Sequence, residues 1–221
     1  IKGATTGIAS GTIVFGAGTT TGNVNDTITA NTITSSGTNL PVNAIYSAGS
    51  STSIANTGIA ITNNNIQDYF SATLASNGIL VASNSAAWTI TGNKLFQTAT
   101  RTATVANTHR AINIVTASGG GYNVSNNTVG YASAGAAGAT TYDGAVAGLY
   151  RAIEMTVAGT PASSIQGNTD TAISCSTTSN SATAPGVFAG ISVLGGSDNV
   201  GTTAGNTIGS ATTTGAISVT S

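Results

Sequence analysis

Charge is what this chain has least of. Five Lys and Arg and six Asp and Glu are spread over 221 residues, leaving a formal net charge of -1. An average soluble domain carries roughly 25% charged residues, against 5% here. Electrostatic steering toward nucleic acid or an anionic membrane surface has no footing on such a chain. Disorder is excluded as well, because it goes with high net charge and low hydrophobicity, whereas 40% of the residues are hydrophobic and mean hydropathy is +0.22.

Long apolar runs are missing too. None approaches the roughly 18 residues of a membrane-crossing helix, so no membrane insertion is expected, and no basic region followed by an apolar one opens the chain as a signal peptide would. A single cysteine, Cys175, excludes an internal disulfide, and with His109 as the sole histidine no Cys/His metal cluster can form. Cys175 reads as a small buried hydrophobe. No cofactor or metal is expected.

What the chain does have is an internal repeat, which decides a fold before any single element does. One pattern sets a β-branched residue three before an Asn and an apolar residue two after it: Ile28, Asn31, Ile33; Ile61, Asn64, Ile66; Ile90, Asn93, Leu95; Val124, Asn127, Val129. Weaker copies follow at Ile165 with Asn168 and at Asn206 with Ile208. A second pattern places a small residue before apolar, any, apolar, at Gly78 to Val81, Ala111 to Ile114, Ala152 to Met155, Gly190 to Val193 and Ala216 to Val219, with Ile13 and Ile45 heading earlier copies. The period averages 34 residues.

Apolar positions alternate within each copy, which is strand periodicity with one buried face. Gly, Ser, Thr, Asn and Ala fill the intervals and favour turns over helix. A unit this short cannot bury its own apolar face, so it must stack on its neighbours. The expected fold is all-β, a right-handed parallel β-helix of about six coils with variable loops, the hand following from the ~98% preference of parallel crossovers. Residues 1–221 are expected to form one β-helix segment of a longer multi-repeat protein, since neither end resembles a polar cap.

Specific columns follow. Ile45, Ile79, Ile112, Ile153, Ile191 and Ile217 should stack inside, flanked by Val81, Ile114, Met155, Val193 and Val219, with Ser47 interrupting the second column. Asn31, Asn64, Asn93, Asn127, Asn168 and Asn206 should form a ladder at one corner, where Asn tolerates left-handed backbone and stacked amides bond to one another. The Gly/Ala-rich stretch from Gly130 to Tyr150, with Tyr131 and Tyr142, reads as a loop excursion, and a second loop is expected near Ser174 to Pro185.

The paired spacing of the Asn and Ile motifs resembles pectate-lyase-like parallel β-helix repeats, over roughly residues 12 to 219. The Thr/Ser/Asn/Gly-rich, charge-poor flavour is closer to repeats of giant surface adhesins from gliding and type-IX-secreting bacteria. That resemblance implies an extracellular or cell-surface location and a structural or adhesive role, with other coils or domains of the same polypeptide, surface glycans or other cell-surface proteins as partners.

Catalysis on such a fold needs clustered carboxylates with a Lys or Arg beside them. Asp26, Asp68, Asp143, Glu154, Asp170 and Asp198 instead fall in different coils. The chain is therefore read as no enzyme, with a carbohydrate-active lyase or hydrolase as the alternative. The one concentration of charge is His109, Arg110, Arg151 and Glu154, expected one strand spacing apart and read as a solvated turn in which Glu154 offsets two arginines, or else as a site for an anionic sugar. Trp88 and Tyr122 hold equivalent positions; facing outward they would make a sugar platform, but alternation favours the core. Thr27 and Thr171 follow Asp as in periplasmic O-glycosylation sites. An ice-binding Thr ladder is not expected, because Thr98, Thr100, Thr102 and Thr104 lie in a single segment.

Overall fold

The computed structural model describes residues 1–180 and 185–221; Ser181, Ala182, Thr183 and Ala184, toward the end of the expected second loop, lie outside it. Among the described residues there are strands and turns and no helix, and all the sheets are parallel throughout. Each strand pairs with the equivalent strand one coil away, which is the arrangement of a parallel β-helix.

Three sheets run most of its length. The first holds Ile13–Phe15, Asn43–Ser47, Ser76–Val81, Thr108–Thr116, Leu149–Val157 and Phe188–Gly195. The second runs from Thr27–Thr29 through Ala60–Thr62, Thr89–Thr91, Asn123–Ser125 and Ser163–Gln166 to Asp198–Val200. The third begins with Lys2–Gly3 and Thr32–Ser35 and ends at Thr207–Ile208. A fourth, shorter sheet of Arg101–Thr102, Thr140–Asp143, Ile173–Ser176 and Ile217–Thr220 closes the later coils.

Ile13, Ile45, Ile79, Ile112, Ile153 and Ile191 are in register as one column. Ile45, Ile79, Ile112 and Ile153 are completely buried. Ser47 does interrupt the neighbouring column, between Phe15 and Val81. Its hydroxyl stays satisfied inside by the Asn56 amide at 2.9 Å and Ser85 at 3.3 Å.

Ile217 and Val219 depart from expectation. They pair with Ile173 and Cys175 in the fourth sheet, not with Ile191 and Val193 in the first. The interval from Ile191 to Ile217 is too short for a full coil, so the chain has reached only the fourth sheet. The Gly130 to Tyr150 stretch is likewise no single excursion. Thr140–Asp143 is a strand and Leu149–Val157 begins before Tyr150, so Tyr142 and Tyr150 are buried and only the segments either side of residues 140–143 are loop. Ile173–Ser176 takes the start of the expected second loop into the fourth sheet.

The Asn ladder stands at the corner between the second and third sheets. Asn64 donates both its backbone N–H and its side-chain amide to Asn93 Oδ1, each at 3.0 Å. Asn93 does the same to Asn127, Asn127 to Asn168, and Asn168 to Asn206. Each inner amide also reaches a strand carbonyl, Asn93 to Ile61 and Asn127 to Ile90 at 2.8 Å. The left-handed backbone sits one residue earlier than expected, at Ala30, Asn63, Gly92, Asn126 and Gly167. The corner turns on that residue, which leaves the ladder Asn in ordinary backbone with its side chain directed inward. A Cβ on Gly92 would lie 2.3 Å from Asn63 Oδ1, so Asn and Gly alternate there for want of room.

The ladder makes a graded prediction. Asn127→Ala strips the Asn93 N–H and amide of their acceptor inside the protein, at a cost of about 3 kcal/mol. Asn31→Ala removes the first rung, where Oδ1 accepts nothing and the amide meets only Thr29 at 2.8 Å, and should cost under ~1 kcal/mol. Urea unfolding of the two variants checks the difference, and equal losses would contradict the rung-by-rung picture.

Candidate functional site

The structure divides the charge concentration seen in the sequence, and it does so by a break in strand alternation: Ala111 and Ile112 are both buried, so His109 lies inside and Arg110 outside. Arg110 and Arg151 are direct register partners on the outer face of the first sheet, and Glu154 stands opposite Asn113. His109, one residue before Arg110, faces the opposite way into the interior, and therefore does not belong to the cluster.

On the outer face Glu154 stands between the two arginines. Its Oε1 accepts Arg110 Nε at 2.5 Å and its Oε2 is 3.7 Å from Arg151 Nε. Arg151 is 2% exposed. Its guanidinium donates to the carbonyls of Tyr150 at 2.7 Å, Val187 at 3.0 Å and Gly186 at 2.7 Å, fastening the fifth coil to the approach of the sixth. Burial pulls the Arg151 pKa down while Glu154 pushes it back up. The expected solvated turn is instead a largely buried ion triad on two strands. Only Arg110 keeps appreciable exposure, 20% of its side chain.

His109 is built into an aromatic stack. Phe70, His109, Tyr142, Tyr150 and Phe188 follow one another with ring centroids 4.8 to 5.6 Å apart along the chain of contacts. Ser76 Oγ lies 2.7 Å from His109 Nδ1 and Nε2 has no partner. Burial, reinforced by the charge of Arg110, lowers the His109 pKa to about 4, so the ring is neutral at physiological pH. Beside it Tyr142, Tyr150, Cys175, Val146 and Val187 line a recess with room for about one water-sized molecule. Ser and His at this distance suggest a nucleophile pair, but both are buried and no carboxylate orients the ring.

Trp88 and Tyr122 are interior, as alternation favours. Trp88 Nε1 donates to the Asn56 carbonyl at 3.0 Å and the ring meets Phe15 edge-on at 5.4 Å. Tyr122 Oη donates to Ser85 at 2.5 Å and shares a 2.8 Å bond with Thr116. Neither offers a face to a sugar. Cys175 is buried, and burial pushes its thiol up to about 12. Thr27 is exposed on the second sheet, whereas Thr171 is buried on the third, where a glycan has no room.

Three features escaped the sequence reading. Asp68, with a φ of 58°, accepts from Thr98 N at 3.0 Å, from the Thr98 hydroxyl and from Arg101, while Arg101 Nε donates to the buried Gln97 at 2.8 Å. The only signal for it was an Asp followed 33 residues later by an Arg, one period on. A second amide ladder joins Asn113 to Asn77 at 3.2 Å and Asn77 to Asn43 at 2.8 Å. On the outside of the second sheet, Thr29, Thr62, Thr91 and Ser125 share one column, with Thr29 to Thr62 hydrogen bonded at 2.9 Å and Thr91 to Ser125 at 2.8 Å. Threonines thus do recur with the repeat, in the Thr-Ile-Thr strands and not at Thr98 to Thr104. Ala60 and Asn123 interrupt the partner column.

Among the described residues no three His, Cys, Asp or Glu side chains come together as metal ligands, and no helix is long and apolar enough to cross a membrane. No protein-family model matches the chain, and neither the curated proteins nor the solved structures include a significant match to it.

Two measurements bear on this site. Glu154→Gln leaves the buried Arg151 without its counter-charge and should cost about 3 kcal/mol in chemical unfolding; a loss below ~1 kcal/mol would mean the triad is solvated after all. For His109, the unfolded chain takes up a proton below about pH 6.5 that the folded protein refuses until about 4. The parent should therefore lose about 3 kcal/mol relative to His109→Phe as pH falls from 7 to 4, and parallel stability curves would contradict the buried, neutral ring.

Proposed function

We propose that this chain is a non-enzymatic structural and adhesive repeat segment of a secreted or cell-surface bacterial protein, a stiff spacer that presents its outer faces to glycans or other surface proteins. The observation that carries this reading is the state of Glu154. It is the one acid next to a pair of arginines, and it is packed between them, one oxygen hydrogen bonded to Arg110 and the other 3.7 Å from Arg151, with only 8% of its side chain exposed to reach a substrate. The other acids give no substitute. Asp68 is neutralised by Arg101, Asp26 and Asp143 stand apart on the surface, and Asp170 and Asp198 turn inward.

The polar investment of the molecule supports the same role. Amide ladders, buried serines and backbone-bound guanidinium all join one coil to the next, so the strongest interactions run along the solenoid axis, which is where a spacer bears load. The resemblance of the repeat to those of surface adhesins agrees with this. The outer faces carry hydroxyl and amide groups with few charges, a chemistry suited to neutral glycans by hydrogen bonding.

The test is a turnover screen of the intact chain on acidic polysaccharides, with and without calcium, alongside retention on immobilised neutral glycans. The reading expects no new chain ends by product absorbance or reducing-end assay. Turnover that disappears in Glu154→Ala or Arg151→Ala would establish a carbohydrate-active enzyme in its place.

A further inference from the structure

Residues 131–139 are an insertion between two sheets. Gly130 is in register with Thr171 and Thr140 with Ile173, so the following coil makes the same passage on Ala172 alone. Insertions in a solenoid stand out as loops on one face, often the binding face. This loop closes on itself through Ala132 N to Ala137 O at 2.9 Å and Ala137 N to Ser133 Oγ at 3.2 Å. It folds over the outer face of the third sheet, where Lys94 Nζ donates to the Ala134 carbonyl at 2.6 Å. Between loop and sheet lies a recess of about 210 Å³, lined chiefly by Lys94, Thr128, Tyr131, Ser133, Ala134 and Thr169. Pockets for drug-sized ligands begin at about 300 Å³, so this one has room for a single ring.

Its chemistry is mixed. Lys94, Thr128 and Thr169 are in register on three successive coils, which spaces them about 5 Å apart along the axis. Lys94 is exposed and belongs to none of the three ion pairs among the described residues. Thr128, Tyr131 and Thr169 are half-buried, and their hydroxyls make no hydrogen bond among those residues. Tyr131 has a φ of 59°, left-handed backbone in which a bulky side chain is an outlier. Its N–H donates to the Ala172 carbonyl at 3.1 Å, and its own carbonyl accepts the Thr140 hydroxyl at 2.5 Å, which fixes the turn. The next coil takes the equivalent position, at φ 51°, with Ala172. The turn itself therefore asks for no aromatic side chain, and strain held where the fold does not need it points to a ligand.

We propose that this recess binds one pyranose residue bearing a single carboxylate, a uronic acid of a surface glycan. The carboxylate pairs with Lys94, ring hydroxyls bond to Thr128 and Thr169, and an apolar face of the sugar packs on Tyr131, an amphipathic ring suited to such contact. A lone lysine is a point charge matched to a monoanion, whereas phosphate and sulfate are commonly gripped by the fork of an arginine. The inference rests on the reading that the outer surface contacts glycans, and it gives that contact one site and one acidic sugar.

Titration of the intact chain with D-glucuronate, D-glucose and inorganic phosphate, followed by amide chemical shifts, tests it. Glucuronate should saturate with a Kd of about 1 mM, ordinary for so small a ligand, and should shift Lys94, Thr128, Thr169 and the 131–136 segment. Glucose and phosphate should each bind at least tenfold more weakly. Lys94→Gln should bring glucuronate down to the level of glucose, while Lys94→Arg keeps the preference. Tyr131→Gly relieves the left-handed backbone, so it should melt no lower than the parent yet lose at least tenfold in affinity; a lower melting temperature or unchanged affinity would make the ring structural and overturn the site. Equal binding of glucuronate and glucose, tighter binding of phosphate, shifts confined to other faces, or no binding would overturn it too. Each of those failures leaves the spacer reading standing, since that reading falls only to turnover.

Discussion

A parallel β-helix must turn a corner in every coil without leaving backbone donors unpaired in its interior, and here the Asn ladder meets that demand. Strands hydrogen bond along the axis, but at a corner the peptide planes rotate and the ladder of the sheet breaks. From Asn64 to Asn206 each Asn Oδ1 accepts the N–H of the preceding ladder Asn, and each of these amides reaches back to a strand carbonyl. One side chain per coil thereby restores the pairing that the corner interrupts. The aliphatic columns contribute hydrophobic stabilisation, of order 25 cal/mol per Å² buried, but they are tolerant of the exact register along the axis. The ladder is not, because an amide two residues away cannot complete the chain of bonds.

The same economy governs the charges. A chain with eleven charged residues places three arginines and two acids in ion pairs that link coils: Arg101 to Asp68, one period apart, and Arg110 with Arg151 to Glu154 across adjacent strands. Such pairs are weak as net stabilisers once desolvation is counted, but they are directional, and they hold neighbouring coils in one register. Asp170 is the exception, an acid in an aliphatic column with nothing to offset it.

The fold was legible in the sequence because both signals that encode it are local and periodic. Alternating apolar residues gave the columns from Ile13 to Ile191, and the Asn spacing gave all six rungs. Ile217 was misplaced because Ala-Ile-Ser-Val at 216–219 is spelled almost as the first-sheet motif, while its true neighbour, Ala-Ile-Ser-Cys at 172–175, ends in the cysteine that looked unrelated. Tyr142 and Tyr150 were hidden in Gly/Ala-rich sequence whose composition reads as loop even where three or four residues of strand cross it. His109 was grouped with Arg110 by adjacency, and alternation counted back from Ile112 would have placed the two the wrong way round, because Ala111 and Ile112 are both buried and break it. The burial of Arg151 had no sequence signal, since its partners are backbone carbonyls at Gly186 and Val187, which any residue would supply.

Everything rests on coils lying directly over one another at a spacing of one motif. Disulfide trapping measures that most directly: a Thr62→Cys, Thr91→Cys pair on adjacent coils, against a Thr29→Cys, Thr91→Cys pair two coils apart, with the native Cys175 buried. Registered neighbours on paired strands are about 5 Å apart, within disulfide reach, whereas the second pair lies at twice that distance. Rapid oxidation of the first pair with retained thermal stability, and none of the second, is the predicted result; equal oxidation of both, or failure of the first, would contradict the stacking.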